Sequence, residues 1–448
     1  MIRQLKKWLK LSLGRAFLVY NKGTEDDQPM SREIKLRPHQ TKALEKIAQH
    51  RRGQVIIPTG GGKTLVAIMD VVRRLEASVE PTTIVVVAPR ILLSHQLCSE
   101  FMSVINDRIV GVIPAQVNSG ETNNFRTTKP EKIRGFVEMC QKSNLHQIIF
   151  TTYHSLARVA ESQINVDTIY FDEAHNSVKR NHFPATKYFS ETADRCYFMT
   201  ATPKHSLTKS KAGMNDASVY GQVIVNVPAP ELVRGGFIVP PRIVAKEMPM
   251  LFRNEMTAES DCTHIIRSIV DNNAKKVLVC GKSVANIVRL FNESHFAVQL
   301  KHMGYSYMYI SAKTGGVIDG QKVNREEFFQ TLNAWGKDNN KKFVVLHHSI
   351  LSEGINVSGL EAVIFMRAMD IVSTLQTVGR VIRLHKDDAY GMRTGRIKPG
   401  HIGSYKKSFG LCIVPMYSTS QKASAQRLQA CVDTVFERGE AAVSTIKR

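Results

Sequence analysis

Short apolar runs, rich in β-branched residues, alternate along this chain with stretches whose apolar residues recur at three- and four-residue spacing. A continuous apolar run suits a strand covered on both faces, and the intervening spacing suits a helix with one buried stripe. A first set of candidate strands covers residues 54–57, 83–88, 147–151, 168–171 and 196–199. A second covers 276–280, 342–346, 362–366 and 410–414. Strands alternating with helices predict an α/β fold with mainly parallel sheets flanked by helices. Between the sets, residues 227–241 carry four prolines and the pair Gly235-Gly236, a composition that marks a hinge. The economical reading is two α/β units, 34–228 and 242–448, joined at 229–241.

Outside this alternation the pattern changes. Residues 1–20 place Leu5, Trp8, Leu9, Leu13, Phe17 and Tyr20 at helical spacing, flanked by Lys6, Lys7, Lys10 and Arg15. This reads as a basic amphipathic helix, followed by a polar linker to about residue 33. Residues 122–129 and 204–217 read as surface loops, and 419–436 as a terminal helix. The basic stretch 393–407, with Tyr390 and Tyr405 near its ends, reads as an exposed loop with the composition to touch a nucleic-acid strand.

Composition narrows the class. At 448 residues the chain needs more than one domain, and 43% hydrophobic with 22% charged residues is globular. Its net charge of +22 points to a polyanionic partner. No apolar run reaches the roughly 18–20 residues that span a bilayer. The N-terminus lacks the apolar core and small-residue cleavage site of a secretory signal. Seven scattered cysteines, none in a C-x-x-C pair, disfavour a disulfide framework or zinc site and fit a reducing compartment. The expectation is a soluble intracellular protein.

One segment carries specific chemistry. Pro58-Thr59-Gly60-Gly61-Gly62-Lys63-Thr64 lies between the strand at 54–57 and a helical pattern at 64–74. Strand, glycine-rich turn and helix form the setting of a phosphate loop, in which backbone N–H groups and a helix N-terminus face phosphate oxygens. Lys63 is placed to reach the β- and γ-phosphates of a nucleoside triphosphate, and the Thr64 hydroxyl to complete Mg²⁺ coordination. The full G-x-x-x-x-G-K-[ST] pattern lacks its first glycine, since Ile57 stands there. Asp172 and Glu173 follow the apolar run 168–171. At a strand's C-terminal end, the first carboxylate can hold Mg²⁺ through water and the second can orient and deprotonate the attacking water.

Together with Asp172-Glu-Ala-His175, this loop resembles motifs I and II of the superfamily 2 helicases and translocases, of the Asp-Glu-Ala-His kind. The remaining motifs follow in order. Leu36-Arg-Pro-His-Gln40 resembles the Q motif, which implies that Gln40 reads adenine. Ala88-Pro89-Arg90 resembles motif Ia and Thr151-Thr152-Tyr153 motif Ib, both strand-contacting in the family. Thr200-Ala-Thr202 resembles motif III which, with His175, links nucleotide state to nucleic-acid binding. Residues 277–282 are a candidate motif IV. Leu351-Ser352-Glu353-Gly354-Ile-Asn356 resembles motif V, which implies nucleotide contact by Glu353 and Gly354. Gln376-Thr-Val-Gly-Arg380-Val-Ile-Arg383 matches motif VI. The resemblance covers most of residues 34–390. It implies two RecA-like domains with ATP and Mg²⁺ between them, catalysis by Lys63, Asp172, Glu173, Gln376, Arg380 and Arg383, and cleft closure as the stroke.

Arg90, Thr152, Ser349 and Ser352 are candidate phosphate contacts. The motif set looks more like restriction-enzyme motor subunits, excision-repair helicases and phage branched-DNA helicases than RNA remodellers. DNA is therefore the expected partner, with RNA possible. The expectation is an ATP-dependent DNA helicase or translocase in repair, recombination or replication, a monomer or part of a larger complex. The alternatives are an RNA helicase and a nucleotide-gated binding subunit.

Overall fold

The computed structural model describes residues 34–120, 122, 124–208, 210–248, 257–311, 315–348, 359–416 and 419–446. The expected N-terminal amphipathic helix and linker, the strand-contact candidates Ser349 and Ser352, and the motif V candidates Glu353 and Gly354 lie outside these residues.

Eight strands build the first sheet: β1 (Arg52–Ile56), β2 (Thr83–Ala88), β3 (Val112–Val117), β4 (Phe125–Arg126), β5 (His146–Thr152), β6 (Thr168–Asp172), β7 (Arg195–Thr200) and, after the short β8 (Lys204–Ser206), β9 (Val223–Asn226). Their order is β4-β3-β5-β2-β6-β7-β1-β9, and every pairing is parallel. The second sheet comprises β10 (Pro241–Glu247), β11 (Lys276–Cys280), β12 (Ser306–Ser311), β13 (Gly315–Ile318), β14 (Gln321–Val323), β15 (Phe343–His347), β16 (Ala362–Phe365) and β17 (Gly410–Met416). It runs β10-β17-β16-β11-β15-β12-β13-β14, parallel as far as β12 and antiparallel through β13 and β14. The fold is the expected pair of α/β units, matching tandem RecA-like domains.

The central strands explain the continuous apolar runs. All six residues of β2, Thr-Ile-Val-Val-Val-Ala, are buried, because helices cover both faces of the sheet. Side chains on one face of the first sheet, including Val55, Ile84 and Met199, form one apolar cluster with Val66 of the helix Lys63–Ala77 and with Leu232, Ile238, Val381 and Ile382. That cluster continues into the second unit through Leu278, Phe343 and Cys412, so the two units share packing where they meet.

Several segments differ from expectation. The hinge contains a helix, Ala229–Arg234, and its end is pinned to the second unit: Val239 N–H donates to the Ile382 carbonyl, and Ile238 bridges Arg383. Residues 204–217, expected as a loop, contain β8, which pairs in parallel with β18 (Ser444–Ile446). The terminal helix Thr419–Val432 runs into a π-helical turn, Asp433–Glu437, before the chain crosses back to the first unit. Tyr405 is buried, its hydroxyl accepting the Gly400 N–H, so only Tyr390 of that aromatic pair stands exposed. All seven cysteines are free, and none but Cys431 has appreciable exposure. Among the described residues no helix is long and apolar enough to cross a membrane.

Candidate functional site

Because the first sheet is wholly parallel, the ends of β1, β2, β5, β6 and β7 gather at one edge. The loop after β1 is shaped by its glycines. Gly62 sits at φ +81° as the N-cap of the helix Lys63–Ala77, and a Cβ there would stand 2.4 Å from Gln40 Nε2. The loop is held from outside by three side chains that precede or open the helix Pro38–Gln49. Arg37 Nη1 donates to the Gly60 carbonyl at 2.9 Å, His39 Nε2 to that of Gly61 at 2.7 Å, and Gln40 Nε2 to that of Gly62 at 3.3 Å. Gln40 Oε1 meanwhile accepts the Arg37 backbone N–H at 2.9 Å. With successive carbonyls tied outward, the loop is set before any phosphate arrives. Arg37 lies 4.8 Å above the Phe237 ring and His39 meets it edge-on. Arg37 and His39 belong to the Leu36–Gln40 segment, but their hold on the loop carries no sequence signal of its own, and for Phe237 the only sequence signal is its closeness to Gly235-Gly236.

Lys63 is 9% exposed, with its ammonium 3.9 Å from Glu173 Oε1 and 3.4 Å from the Ile57 carbonyl. Asp172 ends β6, and Glu173 follows in the left-handed region at φ +47°. A non-glycine residue held there costs on the order of 1 kcal/mol, a kind of strain that concentrates at functional sites. Burial first, then the neighbouring Glu173 charge, raises the Asp172 carboxyl to about 7, opposed by Lys63. A carboxylate in this position gains from a cation. Among the described residues no group of three His, Cys, Asp or Glu side chains could hold a metal by itself. A single buried carboxylate suits Mg²⁺ brought with phosphates, because Mg²⁺ keeps several water and phosphate ligands.

His175 joins the carboxylate pair to the end of β7. Its Nδ1 lies 3.0 Å from Thr200 Oγ1, 3.5 Å from Thr202 Oγ1 and 3.5 Å from Glu173 Oε2. Burial lowers its pKa and keeps the ring neutral. The Thr200 hydroxyl also accepts the Thr202 N–H at 3.1 Å, so these three residues form one buried cluster.

The second unit supplies the facing wall. Gln376 and Arg380 are buried on the helix Ile371–Val381, and Arg383 follows it, half-buried. Gly379 lets this helix touch the phosphate loop: a Cβ there would stand 2.4 Å from Thr59 Cγ2. Burial, then the Arg383 charge, lowers the Arg380 pKa to about 10, and the Glu173 charge opposes the shift. Arg383 is lowered by burial and feels Glu100. Lys63, Glu173, Arg380 and Arg383 thus face one cleft, with Gln376 one turn before Arg380 on the same helix.

The strand-contact candidates are placed unequally. Pro89 is partly exposed, and Arg90 is exposed as the N-cap of the helix Ile91–Ile105. Thr151 and Thr152 are buried: Thr151 donates to the Val117 carbonyl at 2.9 Å, and Thr152 Oγ1 lies 3.3 Å from Ser155 Oγ. Strand β5 is central, so both hydroxyls are engaged inside the fold, and the exposed residue beside them is His154.

Comparison with known proteins fits this architecture. Residues 33–205 match the family described as Type III restriction enzyme, res subunit, and residues 261–385 match Helicase conserved C-terminal domain. No curated protein matches the chain in sequence. One similar solved structure is the ATP-dependent Type ISP restriction-modification enzyme LlaBIII bound to DNA, with a TM-score of 0.67, 16% identity, and coverage of 92% of this chain and 31% of that one. Another is the Mycobacterium smegmatis helicase Lhr bound to ssDNA and AMP-PNP: TM-score 0.52, 19% identity, 88% and 48% coverage. The S. cerevisiae protein Dbp5 bound to RNA and ADP BeF3 gives 0.53 and 13%, covering 93% of this chain and 90% of that one. At these identities the likeness is one of fold. The chain spans about a third of the length of the Type ISP enzymes it resembles.

Proposed function

Because the chain belongs to superfamily 2 of the helicases, nucleic-acid-dependent ATPases, we propose that it is an ATP-driven motor on DNA, translocating along the duplex or unwinding it. The observation that carries this reading is the split site. Lys63 and Glu173 stand on the first unit, Arg380 and Arg383 on the second, and the two walls already touch at Thr59 and Gly379. Charge developing on the γ-phosphoryl oxygens needs positive groups on several sides, so hydrolysis requires both walls. Lys63 meets the phosphates from the loop, and planar guanidinium groups complete the set from across the cleft. Glu173, held between Lys63 and His175, orients the attacking water and accepts its proton. The Thr64 hydroxyl and the Asp172 carboxylate would hold Mg²⁺, which would supply charge neutralisation when bound with ATP. Closing and opening of the walls then moves the strand-contact edge around Arg90 relative to the second unit.

The preference for DNA draws on the Type III restriction family match and on the DNA-bound Type ISP structures of similar fold. A likeness to RNA-bound Dbp5 keeps RNA as the second reading. Steady-state ATP turnover with matched DNA and RNA strands separates them. Greater stimulation by DNA is expected, and stimulation by RNA alone would reverse the assignment.

A further inference from the structure

The edge that carries Arg90 and His154 is tied to the carboxylate pair through side chains by two routes. The direct one is Tyr153, buried, whose hydroxyl donates to the Asp172 carbonyl at 2.8 Å. The other passes through His182. Its ring stacks on Tyr153 with centroids 5.3 Å apart, and exposed His154 meets it edge-on at 4.7 Å. His182 Nδ1 lies 2.9 Å from the Asn176 carbonyl oxygen. A carbonyl only accepts, so Nδ1 carries the proton. That carbonyl also receives the Lys179 N–H at 3.3 Å.

The Asn176 side chain continues the path. Its amide nitrogen lies 3.1 Å from the Glu173 carbonyl and 3.2 Å from His175 Nε2. The Glu173 carbonyl, which also accepts the Asn176 backbone N–H at 2.9 Å, only accepts, so the amide turns its nitrogen end toward it. His175 Nε2 therefore accepts, and in the neutral ring the proton sits on Nδ1. Nδ1 is the nitrogen that faces Thr200 Oγ1 and Glu173 Oε2.

Resting on the reading that this edge meets the strand, we propose that Asn176 and His182 are positioning residues that carry its occupancy to Glu173. Asn176 holds the His175 tautomer, and His182 holds Asn176. A strand bearing on His154 moves the His182 ring, and hydrogen bonds weaken steeply with angle, so a small ring movement reaches the His175 N–H beside Glu173. The path is separate from the Thr200–Thr202 contact, although both converge on His175.

His182→Phe keeps a ring against Tyr153 and His154 but offers Asn176 no N–H. His182→Asn returns a donor near the Nδ1 position without the ring. For His182→Phe, unstimulated turnover and the KM for ATP stay within about twofold of wild type, while nucleic-acid-stimulated kcat falls about tenfold, the worth of one neutral hydrogen bond. His182→Asn recovers most of that loss. Full stimulation in His182→Phe overturns the proposal; so does an equal fall in basal and stimulated rates, or failure of His182→Asn to recover. The ¹⁵N signals of His175 test the Asn176 half without nucleic acid: Nε2 is bare in the wild type, and a protonated Nε2 overturns it. A wild type that no nucleic acid stimulates sinks the functional reading, whereas the His175 tautomer still decides the placement of Asn176.

Discussion

Asp172 illustrates what a catalytic cleft asks of single residues. A carboxyl group whose pKa is raised on folding makes the folded state less stable above its unfolded pKa. The effect starts near pH 4, grows until the folded value of about 7, and is absent at lower pH. Removing the charge should therefore relieve the fold while disabling the site. Asp172→Asn is expected to raise the melting temperature of the nucleotide-free protein by a few degrees at pH 7.5, with little change at pH 4. ATP turnover should be lost in the same variant. Thermal melts at both pH values check this, and a lower melting temperature at pH 7.5 would mean that Asp172 supports the fold. Arg380 has the complementary character, a buried cation with a lowered pKa beside a second arginine. Both residues are placed for what the cleft admits, at a cost to stability.

Among elements, the returning C-terminal segment joins the two units beside the cleft. Val435 and Ala442 from this segment form one small apolar cluster with Ala229 of the hinge helix and Leu375 of the helix that bears Arg380. Beyond it, β18 pairs with β8, four residues after Thr200. Val435→Asp is expected to place a charge in that cluster at a cost of roughly 2–4 kcal/mol. The units should then melt in two transitions where the parent melts in one, a difference calorimetry would record. A single transition at the parent temperature would show that the segment does not join them. Strands such as β2, β11 and β15 were legible because helices bury both their faces and leave apolar runs. Strands β10 and β14 were not: they lie at sheet edges with mostly exposed or half-exposed polar positions, where the run breaks. Pro114 disguised β3 in the same way. In the cleft, Lys63, Glu173 and Arg380 were readable from motif order. The hold of Arg37 and His39 on the Gly60 and Gly61 carbonyls depends on how a helix docks against the loop, which spacing does not encode. Thr151 and Thr152 were read as surface contacts because a motif names positions and says nothing of burial.

The whole molecule pairs this split cleft with a net charge of +22, of which the exposed Arg90, Lys179 and Arg180 stand near the site's edge. Phosphate-driven grip of that kind is independent of sequence and weakens with salt, as a sliding motor requires. On the proposed function, cleft closure around ATP is coupled to movement on DNA. Displacement of a third strand from a DNA triplex tests it most directly, because it reads movement along an intact duplex without requiring unwinding. Displacement is expected with ATP, none with a non-hydrolysable analogue, and none in Arg380→Ala, which keeps the phosphate loop but lacks the facing guanidinium. DNA-stimulated ATP hydrolysis with neither triplex displacement nor strand separation would contradict it.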